Sequence, residues 1–150
     1  HDILTDLDHL KPLVMEQDIV VFGYRDAEQS AKYGCQDIKK TTMMKAIELD
    51  DVRRLGFQNA AALGIETLLK NEFSGFWIHL DADVLDDSIM PAVDYRLPGG
   101  ITFAELSNLL RLLLLTNKAV GISLTIFNPT LDKDGSITRN LLSSIVKGLS

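Results

Sequence analysis

The residues best equipped for chemistry are five aspartates, Asp81, Asp83, Asp86, Asp87 and Asp94, crowded into the segment HLDADVLDDSIMPAVD. Carboxylate oxygens are hard ligands that suit Mn²⁺ or Mg²⁺, and so many like charges in one place call for a counter-charge. Asp81 and Asp83 stand at alternate positions directly after FWIHL, a short aromatic and apolar run. If that run is a central strand, both emerge at its carboxyl end, where open α/β sheets place their functional crevice. Both can then reach an ion as the backbone begins to turn. Two other readings compete. The aspartates serve as turn and cap residues in a solvated acidic loop, or Asp81 is the nucleophile of an Asp-dependent phosphatase with Asp83 as its acid or base. Leu85 weakens the last reading, because such phosphatases carry Thr or Val two residues after the second Asp.

The elements needed to position these residues are visible along the chain. Residues 18–22 (DIVVF) form a β-branched apolar run closed by Gly23, the pattern of a strand buried on both faces. From Asp51, the positions Val52, Leu55, Ala62, Ile65 and Leu69 return to one helical face, which predicts one helix capped by Asp50 or Asp51. Residues 76–80 form the strand that leads into the aspartates. Thr102 and Glu105 make a capping box in front of Phe103, Leu106, Leu109, Leu110 and Leu113. A strand over 119–127 follows, then a closing amphipathic helix built on Ile137, Leu141, Ile145 and Leu149. Strand and helix alternate throughout, which points to an α/β layer with a mostly parallel sheet and helices over its faces. The segment TTMMKAIEL reads as a further strand or edge in which Met43 and Met44 fill core, and Trp77 is expected to pack. Gly99-Gly100 reads as a tight strand-to-helix turn rather than a phosphate cradle, because the spacing of nucleotide loops is missing.

The longer pattern is more specific. His79-Leu80-Asp81-Ala82-Asp83-Val84-Leu85-Asp86, then Met90-Pro91-Ala92, Gly99-Gly100-Ile101-Thr102 and Phe127-Asn128-Pro129 resemble the arginase and agmatinase family, the ureohydrolases. That family shows Asp-x-Asp-x-x-Asp, Pro-Ala, a Gly-Gly-Leu-Thr that opens a helix, and Asn-Pro after the next strand. Upstream, Phe22-Gly23-Tyr24-Arg25-Asp26 is similar to its strand-end Gly-x-Arg-Asp segment. The resemblance implies a three-layer arginase-like α/β fold with a mostly parallel sheet, of which this chain is the C-terminal half. It further implies two Mn²⁺ ions, with Asp81 bridging both, Asp83 binding one and Asp86 fixing the loop behind them. The reaction implied is metal-assisted hydrolysis of a small guanidino (amidine-type) substrate to release urea. Thr125 and Asn128, with Asp132, become candidates to line the substrate pocket, and assembly into homo-oligomers is implied as well.

The chain departs from the family in two places. An upstream Asp-x-His-x-Asp motif and a separate His, which complete the family's metal site, are absent. Of the three histidines, His1 lies in an opening segment that reads like the middle of a domain, His9 sits among leucines, and His79 faces away from Leu80. No histidine is expected as a ligand. Where the family places a guanidinium-pairing Glu, this chain has Ile126, expected as a buried apolar residue, and Ser123 stands in place of a family Asp. Metal chemistry without arginine specificity is one outcome; a non-catalytic relative or half-domain is the other.

Composition narrows the class. With 150 residues, 46% hydrophobic and 24% charged, one domain over 1–150 with a sizeable core is expected. Fifteen Lys and Arg against 21 Asp and Glu leave a net charge of -6, the wrong sign for gripping nucleic acid or an anionic membrane. No apolar run approaches the roughly 20 residues needed to span a bilayer. The single Cys35 cannot form an internal disulfide and reads as a bystander thiol, so a cytoplasmic setting is expected. Lys39, Lys40 and Lys45 are expected to form a solvated patch.

Overall fold

A computed structural model describes residues 9–70 and 73–150; the opening segment that holds His1 lies outside them. Strand β1 (Val20–Phe22) pairs in parallel with β2 (Lys45–Ile47), and β3 (Phe76–Asp81) pairs in parallel with β4 (Ala119–Thr125). Parallel neighbours need a crossover. Helices α1 (Ala27–Lys32) and α2 (Ile38–Thr41) lie in the first crossover, and α5 (Phe103–Leu114) in the second. Between the two pairs run α3 (Leu49–Leu55) and α4 (Phe57–Leu69), and α6 (Ser136–Gly148) closes the chain. The α/β expectation holds, with one change. Among the described residues the strands form two separate two-stranded sheets rather than one, because β1 and β3 are not hydrogen-bonded to each other.

The helix expected from Asp51 to Leu69 is two helices. Gly56, at φ +81, breaks it in a conformation that favours glycine, and α4 restarts at Phe57. The expected caps are corrected too: Glu48 is the N-cap, and Asp50 and Asp51 sit in the first turn of α3, where carboxylates favour the exposed N–H groups. Asp51 accepts from Lys39 and Arg54, and Lys39 also reaches Glu48, so Lys39 is a bridging cation rather than part of a solvated patch. Those two cations hold the Asp51 carboxyl down to about 2, Lys39 having the larger effect. Met43 is exposed rather than core, and β2 begins only at Lys45.

The core lies between the Leu80 side of β3 and the last two helices, with Leu80, Leu85, Ile101, Leu106, Leu110 and Leu141 buried together. The capping box forms as expected: the Glu105 amide donates to Thr102 Oγ1 at 3.1 Å, and the Thr102 amide donates to Glu105 Oε2 at 2.8 Å. The opposite face of β3 is bare among the described residues. Trp77 is therefore exposed, contrary to expectation, with its ring lying across Gly121. Strand β4 ends at Thr125, two residues sooner than expected, because Ile126 takes φ +66 and leaves the ladder. Ile126 is exposed, not buried.

Candidate functional site

Asp81 is the last residue of β3, and the chain turns at once into the 3₁₀ turn Ala82–Val84 that carries Asp83. The turn is anchored by Ala82, which is fully buried, and by a short bridge from Leu85 to Ile101. In that bridge the Ile101 amide donates to Val84 O at 3.0 Å and the Asp86 amide to Ile101 O at 3.0 Å. Gly100 makes the approach possible. A Cβ there would lie 2.3 Å from the Asp86 nitrogen and the Leu85 carbonyl carbon.

Burial raises the Asp83 carboxyl above its ordinary range, and the nearby Asp81 charge raises it further. The Arg25 guanidinium acts in the opposite direction on Asp83, a protein counter-charge where the sequence suggested a metal ion. Arg25 enters from the turn after β1, where Gly23 has φ +81. It donates to four backbone carbonyls: Leu97 at 2.6 Å, Leu85 and Pro98 at 3.2 Å, and Val84 at 3.4 Å. Its role as a clamp that ties the ends of β1 and β3 together was not foreseen, although the Gly-x-Arg-Asp segment had marked the residue.

The other candidates divide. Asp86 Oδ2 accepts from the Gly99 amide at 2.6 Å, and Oδ1 accepts from the Ser88 amide at 3.0 Å and from the Ser88 hydroxyl, so Asp86 pins the loop. These donors, the Ser88 hydroxyl first, hold its carboxyl below the usual range. Thr125 is brought to Asp81 and donates to Asp81 Oδ1. Asn128 is committed at both ends: Oδ1 accepts from the Thr130 amide and hydroxyl, and Nδ2 donates to Asp94 at 2.7 Å. Asp132 is buried and accepts from the Ile137 and Thr138 amides at the start of α6, a helix whose N-cap, Gly135, has no side chain to do so.

Asp81 and Asp83 stand in the wall of a cleft of about 950 Å³ that opens between the unpaired edges of β1 and β3. Apolar side chains such as Val20, Phe22, Ile78 and Leu110 line most of it. As donors the two carboxylates suit a hard divalent cation, which would offset their mutual repulsion. They are not a complete set. Among the described residues no group of three or more His, Cys, Asp or Glu could hold a metal ion.

A parallel α/β chain with an acidic pair at the carboxyl end of β3 has the architecture in which sites lie outside the strand termini. Comparison sharpens that reading. The profile of the Arginase family matches residues 7–149, so the chain belongs to the arginase family. It is 32% identical over 96 residues to the hepatic arginase of Aquarana catesbeiana, an overlap covering 64% of this chain and 28% of that one. It is 28% identical over 148 residues to the arginase of Brevibacillus brevis, covering 97% and 48%. Among solved structures, arginase from Bacillus subtilis superposes with a TM-score of 0.82 at 25% identity, covering 99% of this chain and 49% of that one. Formimidoylglutamase from the same species shares the fold, with a TM-score of 0.72 at 21% identity, covering 95% and 44%. The chain thus spans about half the length of these relatives or less. No helix among the described residues is long and apolar enough to cross a membrane.

Proposed function

We propose that this chain carries the Asp81 and Asp83 part of a binuclear Mn²⁺ site in a hydrolase that cleaves a C–N bond of a guanidino or other amidine-type small molecule. The observation that carries the reading is the placement of the two carboxylates at the end of β3, in the wall of the cleft, with Asp83 crowded by its neighbour's charge. Mn²⁺ bound there would supply Lewis acidity and bring a water's pKa near neutral. The remaining ligands would have to come from outside the described residues. Arg25 keeps the two strand ends in register, and Asp86 keeps the Asp83 turn in place. Ile126 cannot pair with a guanidinium, so the substrate is not read as arginine is read by a carboxylate. That residue and the incomplete ligand set favour, as a second reading, a relative without catalysis.

The test is a calorimetric Mn²⁺ titration of this chain beside Asp81→Ala and Asp83→Ala. Binding lost in both variants supports the metal site; weak binding indifferent to either substitution refutes it for this chain. A screen of guanidino and amidine substrates then separates the two readings, since turnover dependent on Mn²⁺ removes the second. The unpaired edges of β1 and β3 make self-association of the chain the expected behaviour, to be read by sedimentation.

A further inference from the structure

The bare face of the second sheet sets Trp77, His79 and Asp81 of β3 against Gly121, Ser123 and Thr125 of β4. Five side chains on it are joined in series. Trp77 Nε1 lies 3.2 Å from Ser123 Oγ, and Ser123 Oγ lies 3.0 Å from His79 Nδ1. His79 Nε2 lies 3.3 Å from both Thr125 Oγ1 and Asp81 Oδ1, and the Thr125 hydroxyl donates to Asp81 Oδ1. The direction of the series is set by its ends, because an indole N–H can only donate and an ionised carboxylate can only accept. Ser123 takes the Trp77 proton on a lone pair and has its own single proton to give to His79 Nδ1. Thr125 gives its proton to Asp81 and presents only lone pairs to His79 Nε2. A neutral His79 between them therefore carries its proton on Nε2. Gly121 belongs to the arrangement as well: a Cβ there would lie 2.1 Å from the Trp77 ring, so only glycine lets the indole lie flat and reach Ser123.

We propose that Trp77, Ser123, His79 and Thr125 form a one-way donor chain that holds Oδ1 of Asp81 and leaves Oδ2 for a cation. His79 and Thr125 are then positioning residues, and His79 is not a metal ligand although it neighbours Asp81, since Nε2 carries its proton and Nδ1 accepts the hydrogen bond of the Ser123 hydroxyl. The donor chain stands by itself; only the clause about a cation rests on the proposed function.

The first test is ¹⁵N spectroscopy of the histidine rings at neutral pH, with the His79 signals assigned by their loss in His79→Gln. One tautomer, protonated on Nε2, is expected, with the Nδ1-protonated form emerging in Ser123→Ala and suppressed again in Ser123→Thr. A parent chain that already shows the Nδ1-protonated form, or that is unmoved by Ser123→Ala, overturns the donor chain. The second test is at Asp81. Thr125→Val should weaken Mn²⁺ binding about 10- to 100-fold, the usual effect of removing a residue that orients a ligand, while Thr125→Ser retains it. Unchanged affinity in Thr125→Val overturns the positioning role. If the parent chain binds no Mn²⁺, the metal reading fails alone. The Asp81 carboxyl ¹³C resonance, assigned by its loss in Asp81→Asn, then decides: a shift in Thr125→Val but not in Thr125→Ser supports positioning, and no shift in either overturns it.

Discussion

Replacing Gly100 by Ala is the most direct way to displace the candidate site without touching a carboxylate. The new Cβ would meet backbone rather than flexible side chain, at 2.3 Å from the Asp86 nitrogen and the Leu85 carbonyl carbon and 2.5 Å from the Leu85 oxygen. Relief requires the two segments to move apart by about 1 Å, since carbon atoms pack at about 3.5–4 Å. That movement pulls on the two bridge hydrogen bonds, Ile101 to Val84 and Asp86 to Ile101. Overpacking costs about 1–3 kcal/mol and each of the two weakened hydrogen bonds about 0.5–1.5 kcal/mol, so the expected loss is about 2–6 kcal/mol. In a chain of this length it should lower Tm by about 6–19 °C. The control is Gly99→Ala, next in sequence. Its Cβ would meet nothing within 4 Å, and the only cost is the left-handed backbone at φ +80, about 1–2 kcal/mol. Urea unfolding of both variants, with the m-value checked for constancy, measures the difference. Metal affinity should fall further in Gly100→Ala, because the Val84–Asp86 backbone positions Asp83. Equal losses in the two variants, or a Gly100→Ala that unfolds like the parent, would refute the view that close backbone approach fixes this turn.

Further predictions follow from single contacts. Lys39→Met removes the larger of the two cations holding Asp51 down to about 2. A lowered carboxyl stabilises the fold above its unfolded value near 3.9, and that contribution disappears as pH falls from there to about 2. The variant should therefore be less stable than the parent by about 0.5 kcal/mol at pH 7, with the gap closing through that window in a pH series of urea midpoints. Asp86→Ala should quicken hydrogen exchange at the Gly99 and Ser88 amides, its two backbone donors, and leave the amides of α4 unchanged. Ile126→Asn should raise stability by about 1 kcal/mol, because a β-branched residue at φ +66 is strained and asparagine tolerates that region; a lower urea midpoint would show that the packing of Ile126 outweighs the strain.

What could be read ahead in the chain, and what could not, divides by the sequence separation of the contact that decides it. The Thr102–Glu105 box is an exchange over three residues, and it formed where the two residue types predicted it. The emergence of Asp81 and Asp83 at a strand's end needed only the short aromatic and apolar run FWIHL and the acidic pair behind it. The errors lie where a distant partner, or the lack of one, decides. Trp77 was expected to pack because large aromatic residues usually do. It is exposed because no helix among the described residues covers its side of β3, and its indole instead finds Ser123, 46 positions away. The Gly56 break was masked because apolar spacing continues on both sides of it, so periodicity alone joins α3 to α4. Arg25 was visible as a motif residue but not as a clamp, since its acceptors lie 59 to 73 positions on. The same distinction bears on the site. The local part, an acidic pair at the end of β3, is held within this chain, whereas the proposed metal site would need further ligands from outside the described residues. A chain can therefore carry the most legible segment of a candidate site while the contacts that would complete it lie at long range and leave no local signature.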